Sequence, residues 1–382
     1  MTLGLLLATT AVAQDSARIV YLGIADDPHY EPRPVYTGLS LRERKRPVDG
    51  ARLAVRSARV PGRALGLTFE LEEILLDASD SVAEAVDLAG DRGALAILFD
   101  LPAGRMKELL GQAGSPAMLW FNIRHRARGW RTGRCPPDLL HTLPSSAMLS
   151  DALAQHLRGR GWDRVLLLRG RSPADEEEAA AVRGALAKFG LKLADERVFE
   201  LSNDPRQRDL NNVSLLTGGS RHDVVWLVDN DGEFGRYVPY ATYAARPVVG
   251  SEGLAPLAWH WTFERYGAPQ LNQRFRRLTG RDMRPEDWAA WAAVRAVIEG
   301  VQRVGSADGT AVAAFVRSEA LSLDLYKGAP GRFRPWTGQL RQPILLATHN
   351  AVISLAPLEG FAHQTDTLDT LGIDRPESDC RP

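Results

Sequence analysis

Twice along this chain, short apolar runs of strand length alternate with amphipathic stretches of helical length, and the alternation restarts after Pro144. No other feature constrains the fold as much. A strand–helix–strand unit lays consecutive strands parallel and covers them with helices. The first series predicts strands at 18–25, 67–76, 94–99 and 117–121, with helices at 48–57, 82–88 and 105–110. Residues 94–99 are apolar throughout, as in a strand covered on both faces. The second series predicts helix 145–158, with Ser145 as its N-cap, and strand 164–168. A helix then opens on the acids Asp175 to Glu178, which complement its dipole, and strands follow at 192–200, 224–229 and 247–250. The pattern gives two Rossmann-like lobes rather than one large sheet.

The last third differs. Helices are predicted at 263–278, 285–304 and 311–319, then short strands at 331–334, 344–348 and 352–355. Trp288 and Trp291, three apart in a helix, read as core. The polar tail from Gly360 is expected to lie over the surface. Arg281 reads as an exposed arginine without a special role.

At the N-terminus, Leu3 to Ala8 is a short apolar run, and Ala11-Val12-Ala13 precedes Gln14. This is a small-residue cleavage pattern, although no positive residue precedes Leu3. A signal peptide over 1–13 and an exported protein follow as expectations; the run is too short to span a bilayer. Cys135 and Cys380 are the two cysteines. An even count in an exported chain points to a disulfide, the alternative being two unrelated thiols.

Lys+Arg and Asp+Glu both number 47, which argues against a strongly basic nucleic-acid surface. There is no G-x-S-x-G elbow, no P-loop and no G-x-G-x-x-G turn after the first strand. Asp229-Asn230-Asp231-Gly232 begins like a calcium loop, but its twelfth position is Tyr240, where a bidentate Glu is needed. The eight histidines show no i, i+4 pairing, and two cysteines without paired histidines make no zinc site. Binding without chemistry is the expectation. A hydrolase using Asp229 or Asp231 as general base is the weaker alternative.

Ligands of parallel α/β sheets sit beyond the carboxyl ends of the strands. Four loops are nominated: Asp26, Asp27, His29, Tyr30, Arg33 and Tyr36; Asn122, Arg124, His125 and Arg126; Asp229, Asn230, Asp231, Glu233 and Phe234; and Ser251, Glu252, Trp259, His260 and Trp261. The second continues through Arg128, Arg131 and Arg134 with no acid between. It reads either as a solvated loop in an arginine-rich chain, where 42 of the 47 basic residues are arginine, or as the wall of an anion site. Trp259 and His260 offer a flat face and a donor, or else core.

The chain resembles the type I periplasmic substrate-binding proteins of the branched-chain amino acid class. More narrowly, it resembles the binding protein of the ABC transporter linked to PQQ-dependent alcohol dehydrogenase systems. The stretches that carry the resemblance are Leu139-Leu140-His141-Thr142 with Pro144-Ser145, Gly232-Glu233-Phe234-Gly235 with Tyr237 and Pro239-Tyr240, and Ala258-Trp259-His260. Asn272 to Arg277, Gly280-Arg281-Asp282-Met283, Phe333-Arg334-Pro335-Trp336, Gly338 to Leu346 and Leu371-Gly372 through Cys380 carry it further. The loop from Arg124 to Arg134 departs from the pattern, being more basic.

The resemblance implies a two-lobed α/β fold joined by three crossovers, near Leu143-Pro144, Gly250–Leu254 and Leu323–Tyr326. Lobe 1 would comprise 14–143 and 251–323, lobe 2 144–250 and 324–358, and 359–382 a C-terminal tail. It implies a monomeric periplasmic receptor that serves an ABC permease. It also implies pyrroloquinoline quinone (PQQ), a flat tricarboxylate, as cargo rather than catalyst, the alternative being an amino acid or alcohol-oxidation product. The expected ligand contacts are Tyr30, Asn122, Arg124, His125, Asp229, Glu233, Trp259 and His260. Arg124 would take a carboxylate and Trp259 the ring system.

Overall fold

The structure is a computed structural model that describes residues 15–32, 43–109, 114–133, 135, 138–201 and 204–380. The expected signal peptide, with Arg33, Tyr36 and Arg134, lies outside the described residues. The first series forms β1 (Asp15–Ile24), α1 (Val48–Ser57), β2 (Leu67–Leu76), α2 (Val82–Asp91), β3 (Ala94–Asp100), β4 (Leu119–Asn122) and β5 (Leu139–His141). These strands make one parallel sheet in the order β2-β1-β3-β4-β5. Every residue of β3 is buried, as its uninterrupted apolar sequence requires.

The second series forms α3 (Ser146–Arg160), β6 (Arg164–Arg169), α4 (Pro173–Lys188), β7 (Lys192–Val198), β8 (Val224–Val228) and β9 (Val248–Gly250). Its parallel sheet has the order β7-β6-β8-β9. The acids after Ser172 set the start of α4. Ser172 Oγ accepts from Asp175 N at 3.1 Å, and Asp175 Oδ2 accepts from Ser172 N at 3.1 Å, a capping box with Pro173 at the first helical position.

After β9 the chain forms β10 (Ala255–Leu257), α5 (Ala268–Thr279), α6 (Pro285–Val304) and α7 (Gly309–Arg317). The three helices share a core with the first sheet, in which Leu271, Phe275, Trp288 and Val312 meet Ile19 and Leu98. Gly50 lets α1 lie against α6, because a Cβ there would come 1.8 Å from the Asp287 carbonyl oxygen. Arg281, expected to be idle on the surface, is half-buried between them, reaching Asp287 Oδ1 at 2.8 Å and Asp49 Oδ2 at 3.0 Å.

Last come β11 (Ile344–Ala347) and β12 (Val352–Ala356), which join β10 in a small antiparallel sheet. Side chains alternate across a strand. Leu345 therefore enters the core of the first lobe, while Ile344 and Leu346 enter that of the second. This sheet is the joint. Buried amides tie the first and third passes between lobes together here, and the pairing of β10 with β11 brings in the second. Gln339 Nε2 donates to His141 O and Leu143 O at 3.1 and 3.2 Å, and Gln342 Nε2 donates to Thr142 O at 2.8 Å.

Three expectations are corrected. The helix foreseen from 263 begins at Ala268, because Tyr266 and Gly267 take φ of 53° and 81°. The strand foreseen at 331–334 reduces to Pro330–Gly331, paired with Leu323–Asp324. The tail is docked rather than draped: Leu368, Leu371 and Ile373 are buried, and Asp369 is fully buried between Arg334 and Arg341.

Candidate ligand-binding site

The chain leaves the first sheet at the carboxyl end of β5 and enters the second lobe at the N-terminus of α3; it leaves the second sheet at the carboxyl end of β9. The carboxyl ends of both parallel sheets therefore face the gap between lobes.

On the first lobe these ends carry one polar cluster. Asp27 folds the loop after β1 by accepting from His29 N at 2.9 Å, and this turn brings Tyr30 over the last residue of β3. Tyr30 Oη lies 2.7 Å from both carboxylate oxygens of Asp100. Tyr21, within β1, donates to the same carboxylate. Arg124, two residues beyond β4, pairs with Asp27 and lies 3.7 Å from Asp100 Oδ1. Arg46 stacks on the Tyr30 ring at 4.7 Å, and its buried Nη1 has no hydrogen-bond partner among the described residues.

The charges in this cluster balance, two carboxylates against two guanidinium groups. Burial raises the Asp100 pKa against the pull of Arg124 and the two hydroxyls. Burial opposes the Asp27 charge as well, but Arg124 and the His29 amide outweigh it and the pKa falls. Burial and Asp100 raise both tyrosines, which stay hydroxyl donors. Burial and Arg124 hold His29 neutral to about 4. Burial does the same for His125, again to about 4, against its bond to the Leu101 carbonyl. The arrangement orients donors and acceptors without activating a nucleophile.

The sequence-predicted residues fall into three groups. Tyr30 and Arg124 lie in this cluster. Asn122 and His125 shape the loop that carries Arg124. Asn122 is fully buried; its Oδ1 accepts from Arg124 N and His125 N at 3.1 and 2.8 Å. His125 Nε2 bonds Leu101 O at 2.8 Å. Asn122 is therefore corrected from ligand contact to loop support. Across the gap, Asp229 also supports a loop, accepting from Gly232 N and Gly235 N at 2.9 and 2.7 Å. Glu233 is buried beside it in sequence, next to Phe234, which stacks on Phe199 at 4.2 Å.

Trp259 and His260 are corrected. Trp259 is fully buried in the first-lobe core. It stacks on Trp288 at 6.2 Å, meets Phe263 edge-on, and donates from Nε1 to Asn272 Oδ1 at 2.8 Å. Neither face is left for a ligand. His260 is buried; its Nδ1 bonds Thr262 Oγ1 at 2.7 Å and its ring stacks on Trp261, so it is engaged in the turn before α5. Trp288 and Trp291 are core.

The arginine loop is not a free electropositive wall. Arg126 pairs with Glu286 at 2.8 Å. Arg131 is buried, donating to Gln339 Oε1 and to the carbonyls of Ala127, His125 and Leu143. Arg128 is exposed with no ion pair among the described residues. Cys135 and Cys380 form a disulfide with Cα atoms 5.4 Å apart.

Sequence reasoning passed over Tyr21, Arg46 and Asp100. Asp100 had a signal, an acid closing a wholly apolar strand. Among the described residues no three His, Cys, Asp or Glu side chains converge as metal ligands, and no helix is long and apolar enough to cross a membrane.

No protein-family profile matches the sequence, and no curated protein does. Solved structures do match. A branched-chain amino acid ABC transporter periplasmic ligand-binding protein from Burkholderia xenovorans superposes with a TM-score of 0.66 at 14% identity, covering 89% of this chain and 95% of that one. A solute-binding protein of an ABC transporter from R. palustris, in complex with benzoate, gives 0.63 at 12%, covering 96% and 100%. A branched-chain amino acid transporter substrate-binding protein from Streptococcus pneumoniae, in complex with isoleucine, gives 0.61 at 13%, covering 89% and 99%. The fold is that of type I periplasmic binding proteins.

Proposed function

We propose that this chain is the periplasmic solute receptor of an ABC importer and holds a small organic ligand between its lobes without transforming it. The observation that carries this reading is the charge-balanced cluster of Asp27, Asp100, Arg124 and Arg46 around Tyr30 at the strand ends facing the gap. It supplies one oriented hydroxyl and one aromatic ring, those of Tyr30, with Glu233 and the loop shaped by Asp229 opposite. The partners are the ligand and a permease.

The charge balance also bears on the cargo. PQQ, which the resemblance implies, carries three carboxylates. Arg124, Arg126 and Arg131 are already engaged within the protein. We therefore read the cargo as an amino acid or a small alcohol-oxidation product with at most one carboxylate. Benzoate and isoleucine, held by two of the similar proteins, have that charge pattern.

Thermal shift and calorimetric titration with benzoate, isoleucine, 2-phenylethanol, phenylacetate and PQQ test the reading. A ligand at a hundred times its Kd stabilises the folded state by about 2.7 kcal/mol. At least one of the first four should bind, and Tyr30→Phe should weaken it. PQQ binding more tightly than all four would restore the tricarboxylate. Binding by none, with no shift in melting, would remove the receptor reading.

A further inference from the structure

We infer that the Cys135–Cys380 disulfide is a strap that limits how far the two lobes can part. Its two ends belong to different lobes. Cys135 lies between β4 and β5 of the first sheet. The tail that carries Cys380 is built onto the second lobe and the joint. Gly372 N donates to Asp151 Oδ2 on α3 at 2.7 Å, and Lys188 Nζ on α4 donates to Gly372 O at 2.8 Å. Leu371 is fully buried in the second-lobe core. Arg334 Nη2 donates to Leu371 O at 2.7 Å and Trp336 Nε1 to Ile373 O at 3.0 Å.

Beyond those anchors the chain is short. Gly372 and Cys380 are eight residues apart, a reach of at most about 26–29 Å when fully extended. Some of that reach is taken up by the turn at Arg375–Glu377, where Asp374 N donates to Glu377 Oε2 at 3.0 Å. At the far end Gly133 N, on the first-lobe loop, donates to Asp379 Oδ1 at 3.0 Å beside the disulfide.

The tail lines a groove of about 400 Å³ on the second lobe, with Arg128 of the first-lobe loop at its edge. Its walls are Ser146, Glu177 and Ala181, from α3 and α4, with Ile373 and Glu377 of the tail. Parting the lobes carries Cys135 away from the tail anchored on the second lobe and draws the tether out, so its covalent length sets a stop. Buried amides hold the first and third passes through the joint; the strap adds a covalent link, with Cys380 Sγ 3.0 Å from Arg131 O beside it.

This rests on the two-lobed receptor reading only in that the lobes move, so it is tested without ligand. Small-angle scattering is compared for the oxidised protein, the same protein reduced by a phosphine, Cys380→Ser, and a variant with a Gly/Ser insert as long as the tether after Glu377 and the disulfide intact. A compact chain of this length has a radius of gyration of about 21 Å. Reduction and the insert should each raise it measurably and broaden the interlobe distances, with far-ultraviolet dichroism unchanged. Reduction of the folded protein keeps the test valid if Cys380→Ser does not fold. Unchanged scattering in the reduced and lengthened forms overturns the strap. An effect of reduction with none from the insert also overturns it, because the disulfide would then only brace the local fold.

Discussion

Asp369 is the anchor on which the docked tail depends, and replacing it by Asn should cost several kcal/mol. Its side chain is fully buried; those of Arg334 and Arg341 retain 1% and 9% exposure. Arg334 Nε meets Asp369 Oδ1 at 2.7 Å, while Arg341 meets both oxygens at 2.8 and 2.9 Å. The two arginines do not suffer equally. Arg341 lies 3.7 Å from Asp366, which is partly exposed, and falls back on it. Arg334 keeps only the carbonyls of Leu368, Leu371 and Ile373. Breaking a buried pair by removing one partner costs about 3–5 kcal/mol, because the remaining charge is uncompensated. At roughly 2.1 cal/mol/K per residue, the whole chain unfolding as one unit has an entropy near 0.8 kcal/mol/K, so melting should fall by about 4–6 °C. Urea titration followed by tryptophan fluorescence gives the free energy. Arg334→Met, Arg341→Met and Asp369→Leu together should recover most of it, since apolar replacements of buried ionic triads are neutral or stabilising. A loss under about 1 kcal/mol in Asp369→Asn, or a triple variant no better than the single one, refutes this account.

Three further outcomes are expected. Trp259→Ala should lose about 3–5 kcal/mol of stability as a core truncation and leave ligand affinity unchanged; a selective loss of affinity would return Trp259 to the site. Gly50→Ala should destabilise by roughly 1–3 kcal/mol through overpacking, although helix propensity alone favours Ala by about 1 kcal/mol, so the sign of the urea midpoint shift decides. His29 and His125 stay neutral down to about 4 in the fold, whereas unfolded imidazole takes its proton near 6.5. The unfolded chain binds more protons within that window, so stability should fall as pH drops through it. His29→Gln with His125→Gln should flatten that slope, and equal slopes in both proteins would contradict the burial of these rings.

The fold was legible because its signals are local. The stretch 67–76, where apolar and polar residues alternate from Leu67 to Glu72, and the apolar run 94–99 are strands by pattern and length, and the acids Asp175 to Glu178 and the Pro285 start are chemical marks of helix N-termini. What escaped is set by tertiary context. Nothing around Tyr266-Gly267 shows that both residues take positive φ, which delays α5 to Ala268. Strand β5 has three residues and β10 three, too few for any period to show. The tail is polar by composition, yet two arginines more than twenty residues upstream make it part of the interior.

For the candidate site, the sequence names loops but not the roles of their side chains. Placing ligands beyond strand ends nominated the loops at Tyr30 and Arg124, because topology alone decides which ends face the gap. Residue type did not decide which side chains remain available there. Arg124, Arg126 and Arg131 read alike in sequence. The first meets Asp27 from a loop 97 residues away, the second Glu286 from a helix 160 residues on, and the third the joint at Gln339. Trp259 follows a crossover, as a hinge aromatic would, yet Trp288 and Asn272 claim its face and its N–H. A guanidinium held by a carboxylate no longer draws a ligand anion at full strength, and an indole with both faces packed offers no stacking surface. The resemblance implied a flat polyanion as cargo, and the arginine- and tryptophan-rich loops were compatible with it; the partners of those side chains are what the proposed smaller, less charged ligand rests on. The same carboxylates that neutralise Arg124 present Tyr30 as a fixed hydroxyl, which favours a ligand recognised by hydrogen bonds and one ring over one recognised by charge.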